Sequence, residues 1–129
     1  MKLASIFLVS GINSYSTESH NKKVLFHREG PKLLKTLAEE LGITSYDIRN
    51  NVGGMAVSGE VTLHADALYL QLFESCVGNR GIRLLYRTCN GRKDCSGGKN
   101  HEVQVALLSN PSNYTSFIDQ CQQLLPLIV

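Results

Sequence analysis

Apolar residues change their spacing along this chain, and the changes mark out its elements. Leu33, Leu34, Leu37, Ala38 and Leu41 recur at helical intervals after Gly30–Pro31. Proline suits the first turn of a helix, where its missing N–H has no partner to lose. Gly42 follows where a left-handed C-terminal residue is wanted. The same logic predicts a second helix, with Asn110 as cap, Pro111 in the first turn and Pro126 as its stop. Its apolar stripe is Tyr114, Phe117, Ile118, Cys121, Leu124 and Leu125.

Between these helices the period drops to two. Val61, Leu63 and Ala65 alternate with Glu60, Thr62 and His64, and Leu68, Leu70 and Leu72 with Tyr69, Gln71 and Phe73. Ile82, Leu84 and Tyr86 likewise alternate with Arg83, Leu85 and Arg87. That is the rhythm of strands buried on one side. Asp66 turns the first strand into the second, and Gly-Asn-Arg-Gly at 78–81 makes a hairpin turn into the third. Val103 and Val105 tilt 102–108 toward strand.

Residues 3–9 read as a buried N-terminal strand rather than a secretory leader, because serines break the apolar run. Residues 22–27 read as a further short strand, and Thr44 with Asp47 opens a helical turn reaching Asn50. Consecutive strands with short connections favour an antiparallel meander. The expected fold class is therefore α+β: a meander sheet of about four to five strands with two amphipathic helices packed on it. It forms a single domain over 1–129, since no repeat or linker interrupts the chain.

Composition adds bounds. With 129 residues, 43% apolar and 19% charged, the chain can bury a real core and does not have the balance of a disordered one. No apolar run approaches the length of about twenty residues that spans a membrane. Cys76, Cys89, Cys95 and Cys121, with no export signal, are expected to be free thiols in a cytoplasmic protein.

Charge changes the picture more. A net charge of +2 implies no particular partner, but six of the 13 Lys and Arg residues fall within 80–101. They are Arg80, Arg83, Arg87, Arg92, Lys93 and Lys99, against Asp94 as the one acid. The field is thus asymmetric, at about +5 on this stretch and about −3 on the rest. Arg83 and Arg87 share a strand face that leads into a loop holding Asn90, Gly91, Arg92, Lys93, Gly97, Gly98 and Lys99 and ending at His101. Asn90–Gly91 and Gly97–Gly98 permit positive φ, so successive N–H groups can converge on an anion. Arginine offers phosphate a planar fork and lysine a point charge. Tyr69 and Tyr86, on neighbouring strands, are candidates to stack a base.

The expected function is a binding module for a phosphate-bearing ligand: a nucleotide, an oligonucleotide or a nucleic-acid backbone. The alternative is a small interaction or inhibitor protein, of the mobile-element kind, that docks on an acidic protein surface. Identical basic loops around a symmetry axis would make a homo-oligomer possible.

Other chemistry is weaker. Cys89, Cys95 and His101 are spaced Cys-x5-Cys-x5-His, wider than zinc ligand pairs, so no metal or cofactor is assigned. His64, beside Asp66, and His101 are the types for acid–base cleavage of a phosphodiester, but nothing in the sequence joins them. With no catalytic residue assigned and no Walker or dinucleotide pattern, the chain reads as a binder rather than an enzyme. Residues 37–49, LAEELGITSYDIR, resemble a helix-turn-helix core, with Ala38, Gly42 and Ile48 in its small, turn and apolar positions. The resemblance implies, as a second alternative, DNA binding through 34–52, with Ser45, Tyr46 and Arg49 facing DNA.

Overall fold

The computed structural model describes residues 1–75 and 81–125. Five antiparallel strands lie in chain order: β1 (Tyr46–Asn51), β2 (Glu60–Ala65), β3 (Leu68–Glu74), β4 (Ile82–Thr88) and β5 (His101–Gln104). With helices α1 (Thr17–Glu40) and α2 (Pro111–Leu124) they make an α+β meander, as the alternating pattern predicts. The expected turn at 78–81 falls largely outside the described residues, and the expected stop at Pro126 falls outside them. Among the described residues no helix is long and apolar enough to cross a membrane.

One face of the sheet is apolar. Val61, Leu63, Leu68, Leu70, Leu72 and Leu84 are fully buried there, each contributing roughly 1.5–3 kcal/mol of hydrophobic stabilisation. Helix α1 lies over β1 and β2 with Leu34 and Leu37 fully buried. Helix α2 meets β4, where Tyr86 packs edge-on against Phe117 at 5.2 Å and donates its hydroxyl to Gln120 Oε1 at 2.7 Å.

Helix α1 departs from the expected start at Pro31. It begins at Thr17, where Ser16 Oγ accepts from the Ser19 N–H at 3.0 Å, so 22–27 is helical rather than a strand. Phe26 is the only buried hydrophobic residue in its first half, so no apolar stripe announces that half. Pro31 sits inside the helix and cannot donate to the His27 carbonyl. Asn50 Nδ2 of β1 donates to that carbonyl instead, at 2.8 Å. Gly30 admits close packing, because a Cβ there would fall 2.8 Å from Val61 Cγ2. The Gly-Pro pair serves helix-on-sheet packing, not helix initiation.

Residues after Gly42 also differ from expectation. Gly42 takes its left-handed conformation at φ 74°. The segment expected as a helical turn is β1, paired with β2 from Tyr46↔Ala65 to Asn51↔Glu60. Tyr46 and Ile48 alternate onto the core side, and strand pairing outweighs the local capping signal. The would-be recognition helix of the helix-turn-helix resemblance is therefore an edge strand.

Two short 3₁₀ turns replace other expected strand. Ser5–Leu8 buries Ile6 and Phe7 where a strand was expected over 3–9. Val105–Ser109 follows β5 and buries Val105 and Leu108, so 102–108 is strand only at its start. The N-terminal segment is held by Glu74, whose carboxylate accepts from the Gly11 N–H at 2.8 Å and the Ile12 N–H at 2.7 Å.

Candidate anion site on the open sheet face

Both helices pack on the apolar face, and the opposite face carries the polar members of each strand. Register aligns them into rows: Asp47, His64, Tyr69 and Arg87 in one, and Arg49, Thr62, Gln71 and Leu85 in the next. The segment 89–100 folds back over these rows.

That segment is closed by a disulfide between Cys89 and Cys95, which corrects the expectation of free thiols there. Inside the ring, the Asp94 N–H donates to the Gly91 carbonyl at 3.0 Å and the Asn90 N–H to the Asp94 carbonyl at 2.8 Å. Arg92 and Lys93 thus occupy the tip of a tight turn. Gly91, Gly97 and Gly98 do not take positive φ, so the expected concavity of N–H groups on left-handed glycines is not how this loop is built. Gly98 is required by proximity instead, because a Cβ there would run into the Thr88 carbonyl oxygen.

The arginines sort into different roles. Arg83 pairs with Glu102 at 3.1 Å, on the next strand. Arg87 Nη2 donates to the Gly98 carbonyl at 2.5 Å and the Ser96 carbonyl at 3.5 Å, stapling the loop to the sheet. Arg92 donates to Ser45 Oγ at 2.7 Å and Asp47 Oδ2 at 3.4 Å, and its Nε lies 3.4 Å from Asp66 Oδ1. It ties the turn tip to β1 and to the β2–β3 turn. Much of the charge legible in the sequence is therefore spent inside the protein.

Other predicted site residues separate. Tyr86 is 4% exposed and lies on the apolar face, with the His101 ring stacked on it at 5.2 Å. Neither faces the loop, and His64 and His101 lie on opposite sides of the sheet. Asn90 and Lys99 are exposed and line neither cleft described below. Arg80 is outside the described residues.

A cleft of about 470 Å³ opens between β1–β3 and the turn tip, lined by Arg49, His64, Tyr69, Arg92, Lys93 and Cys95. None of these carries a carboxylate. Among the described residues neither Arg49 nor Lys93 forms an ion pair. The sequence pattern names Arg49 only on the DNA-facing helix of the helix-turn-helix resemblance, outside the basic-loop site. The signal was its phase, one residue from Ile48 on a strand, and it is invisible while 44–50 is read as helix.

The floor is tuned. Partial burial and the Arg49 guanidinium hold His64 below its usual pKa, with Asp47 opposing. Its Nε2 lies 2.9 Å from the Thr62 hydroxyl, within hydrogen-bond distance. Burial, and then Glu60, push the Tyr69 phenol up against the pull of Arg87. It stays protonated and donates to Gln71 Oε1 at 2.6 Å. Tyr69 and Cys95 also line a second cleft of about 360 Å³ that reaches Gln71, Leu85 and Arg87. Tyr69 stands between the two clefts, edge-on to His64 at 5.2 Å.

Among the described residues no cluster of three or more His, Cys, Asp or Glu side chains forms a metal site. Comparison with known proteins finds no matching family model, no similar curated protein and no similar solved structure. The functional reading rests on the geometry alone.

Proposed function

We propose that the protein binds a phosphate-bearing ligand on the open face of its sheet, with an oligonucleotide strand as the best-fitting class. The observation that carries this reading is the cleft lined by Arg49, Arg92, Lys93 and His64 with no carboxylate among its lining. Arg49 and Lys93 supply the attraction, and Arg92 positions the turn that presents Lys93. Tyr69, between two adjoining clefts, offers a ring to a base. Phosphates on either side of it would meet Arg49 and Lys93 first and Arg87 second.

The test is fluorescence anisotropy with a labelled oligothymidylate of about a dozen nucleotides, titrated across salt. Binding that weakens steeply with salt is expected, and loss of binding in Arg49→Ala/Lys93→Ala. Arg83→Ala, at a paired site outside the cleft, should bind as the wild type does. No binding at low salt, or binding indifferent to Arg49 and Lys93, refutes the reading.

The sequence pattern leads to the expectation of free thiols in a cytoplasmic protein. The Cys89–Cys95 disulfide supports an oxidising setting instead, where such bonds persist. Thiol trapping of the protein from its native host decides between them.

A further inference from the structure

On the other side of the molecule, the first turns of α1 and the 52–56 loop enclose a groove of about 620 Å³. It is larger than either cleft on the open sheet face and within the size range of small-ligand pockets. Its walls are apolar and exposed: Tyr15 is 78% accessible, Met55 79%, Val24 54% and Val52 52%. Scattered exposed apolar residues need no explanation, but four around one groove form a patch.

The loop that presents Val52 and Met55 is braced. Lys23 Nζ donates to the Gly54 carbonyl at 2.8 Å, and His27 Nε2 to the Ser58 carbonyl at 2.6 Å. The Gly53 N–H donates to Asn51 Oδ1 at 3.1 Å. Ala56 is held at φ 61°, a conformation costly for a residue with a Cβ. At Gly59 a Cβ would strike the carbonyls of Asn51 and Val52. These constraints hold apolar side chains out of the core and in solvent. Methionine and tyrosine are also side chains that recur at binding surfaces, one adaptable and one rigid.

Charge selects the occupant. Lys23 and Arg28 are the fixed charges among the lining residues, both positive, with His20 and His27 beside them and no carboxylate. Glu18 is turned to Lys22 at 3.3 Å, and Glu29 pairs with Arg28 Nε at 3.2 Å, which leaves the rest of that exposed guanidinium to the groove; neither carboxylate lines it. Apolar walls under a cationic rim favour a peptide side chain over a phosphate backbone. We infer that this groove docks an acidic peptide segment of a protein partner, with an apolar side chain inserted between Tyr15, Val24, Val52 and Met55 and Asp or Glu residues toward Lys23 and Arg28.

The experiment pans a displayed random-peptide library on the full chain, with a Tyr15→Ala/Met55→Asp variant as the counter-screen. These positions are exposed, so circular dichroism and thermal melting should show an unchanged fold. The expected winners carry Leu, Ile or Phe flanked by Asp or Glu. Each should bind the wild type at least about tenfold more tightly than Met55→Asp or Arg28→Glu by anisotropy. Winners that are basic or uncharged, winners indifferent to those substitutions, or no enrichment at all overturn the inference. So does sedimentation showing a dimer that Met55→Asp dissociates, which would assign the groove to a second copy of this chain. Oligothymidylate binding runs in parallel as an independent readout, because it depends on the opposite surface.

Discussion

Asn50 donates its side-chain amide to the carbonyl of His27 at 2.8 Å, from an edge strand to the middle of a helix. That carbonyl is the acceptor that Pro31, four positions on, leaves without a helical donor. The pair lets a single helix run from Thr17 to Glu40 through a residue that ordinarily ends or kinks one.

Removing the donor should therefore matter most while the proline is present. Asn50→Ala is expected to cost about 1–2 kcal/mol by urea unfolding, the range for a lost hydrogen bond that leaves its partner unmade. In a Pro31→Ala background the helix can supply its own N–H, and the same change should cost less. A double-mutant cycle measures the difference. Equal costs in both backgrounds would mean that Asn50 does not compensate for Pro31.

Glu74 carries a second local argument. Its carboxylate grips two successive N–H groups, those of Gly11 and Ile12, from a buried position at the end of β3. Glu74→Gln leaves one of these donors facing an NH₂ group. The expected loss is about 2 kcal/mol, as for hydrogen bonds to a charged group. Faster amide exchange at Gly11 and Ile12 should accompany it. If those two amides keep their protection, the N-terminal segment is held by its other contacts, such as the burial of Ile6 and Phe7 and the bond from the Ser19 hydroxyl to the Gly11 carbonyl.

These two residues also show what was legible in the sequence. Period-two alternation placed β2, β3 and β4 because each buries a single apolar face, and Asn110–Pro111 marked the start of α2. The first half of α1 was hidden because its stability comes from contacts that no local pattern records, including the one from Asn50. Glu74 continues the inward phase of Leu68, Leu70 and Leu72, yet an acid in that phase reads as a strand end until its backbone partners are seen. In the basic segment the charges were visible, but their partners were not. Glu102, Asp47 and Asp66 lie on other elements, so only the fold shows that Arg83 and Arg92 are paired while, among the described residues, Arg49 and Lys93 are not.

Burial of Cys121 should appear as alkaline sensitivity. Desolvation pushes its thiol from 9.0 up to about 12, so the folded state favours the neutral form. The stability this gives is complete below about pH 9 and is lost as pH rises from there toward 12. The Tyr86 and Tyr114 phenols are raised by burial as well and act in the same direction. Cys121→Ala should retain a larger share of its neutral-pH stability between about pH 9 and 10. Mass-mapped alkylation should leave Cys121 unmodified until denaturant is added. Ready labelling of native protein at this thiol would contradict its burial.

Opening the Cys89–Cys95 ring tests how the turn tip is presented. Closing a loop of this length stabilises by about 2 kcal/mol in the chain-entropy account. A Cys89→Ser/Cys95→Ser variant, or the wild type under a dithiol reductant, should lose roughly that much. Arg87 and Arg92 would still tether the loop, so the fold should persist. Lys93 would no longer be held at a fixed tip, and oligothymidylate affinity should fall about fivefold or more. Unchanged affinity after reduction would show that the turn does not present Lys93 to the ligand.

His64 gives the cleft a dependence on pH that separates binding from stability. Partial burial and Arg49 hold its pKa below 6.5, against the smaller pull of Asp47, so at neutral pH the ring adds no charge. Acidification through the folded-state pKa places a new cation beside Arg49 and Lys93. Phosphodiesters keep their charge over this range, so oligothymidylate affinity should rise as pH falls below 6.5. Stability should move the other way. A depressed histidine contributes above its unfolded pKa, and that contribution is lost as pH falls through the folded one. Anisotropy and melting curves at constant ionic strength should thus diverge in wild type, with tighter binding on a less stable protein. In His64→Gln both slopes should flatten. A wild-type affinity that stays level while stability falls would place the bound phosphates away from His64, and the cleft between β1 and the turn tip would then not be where the strand lies.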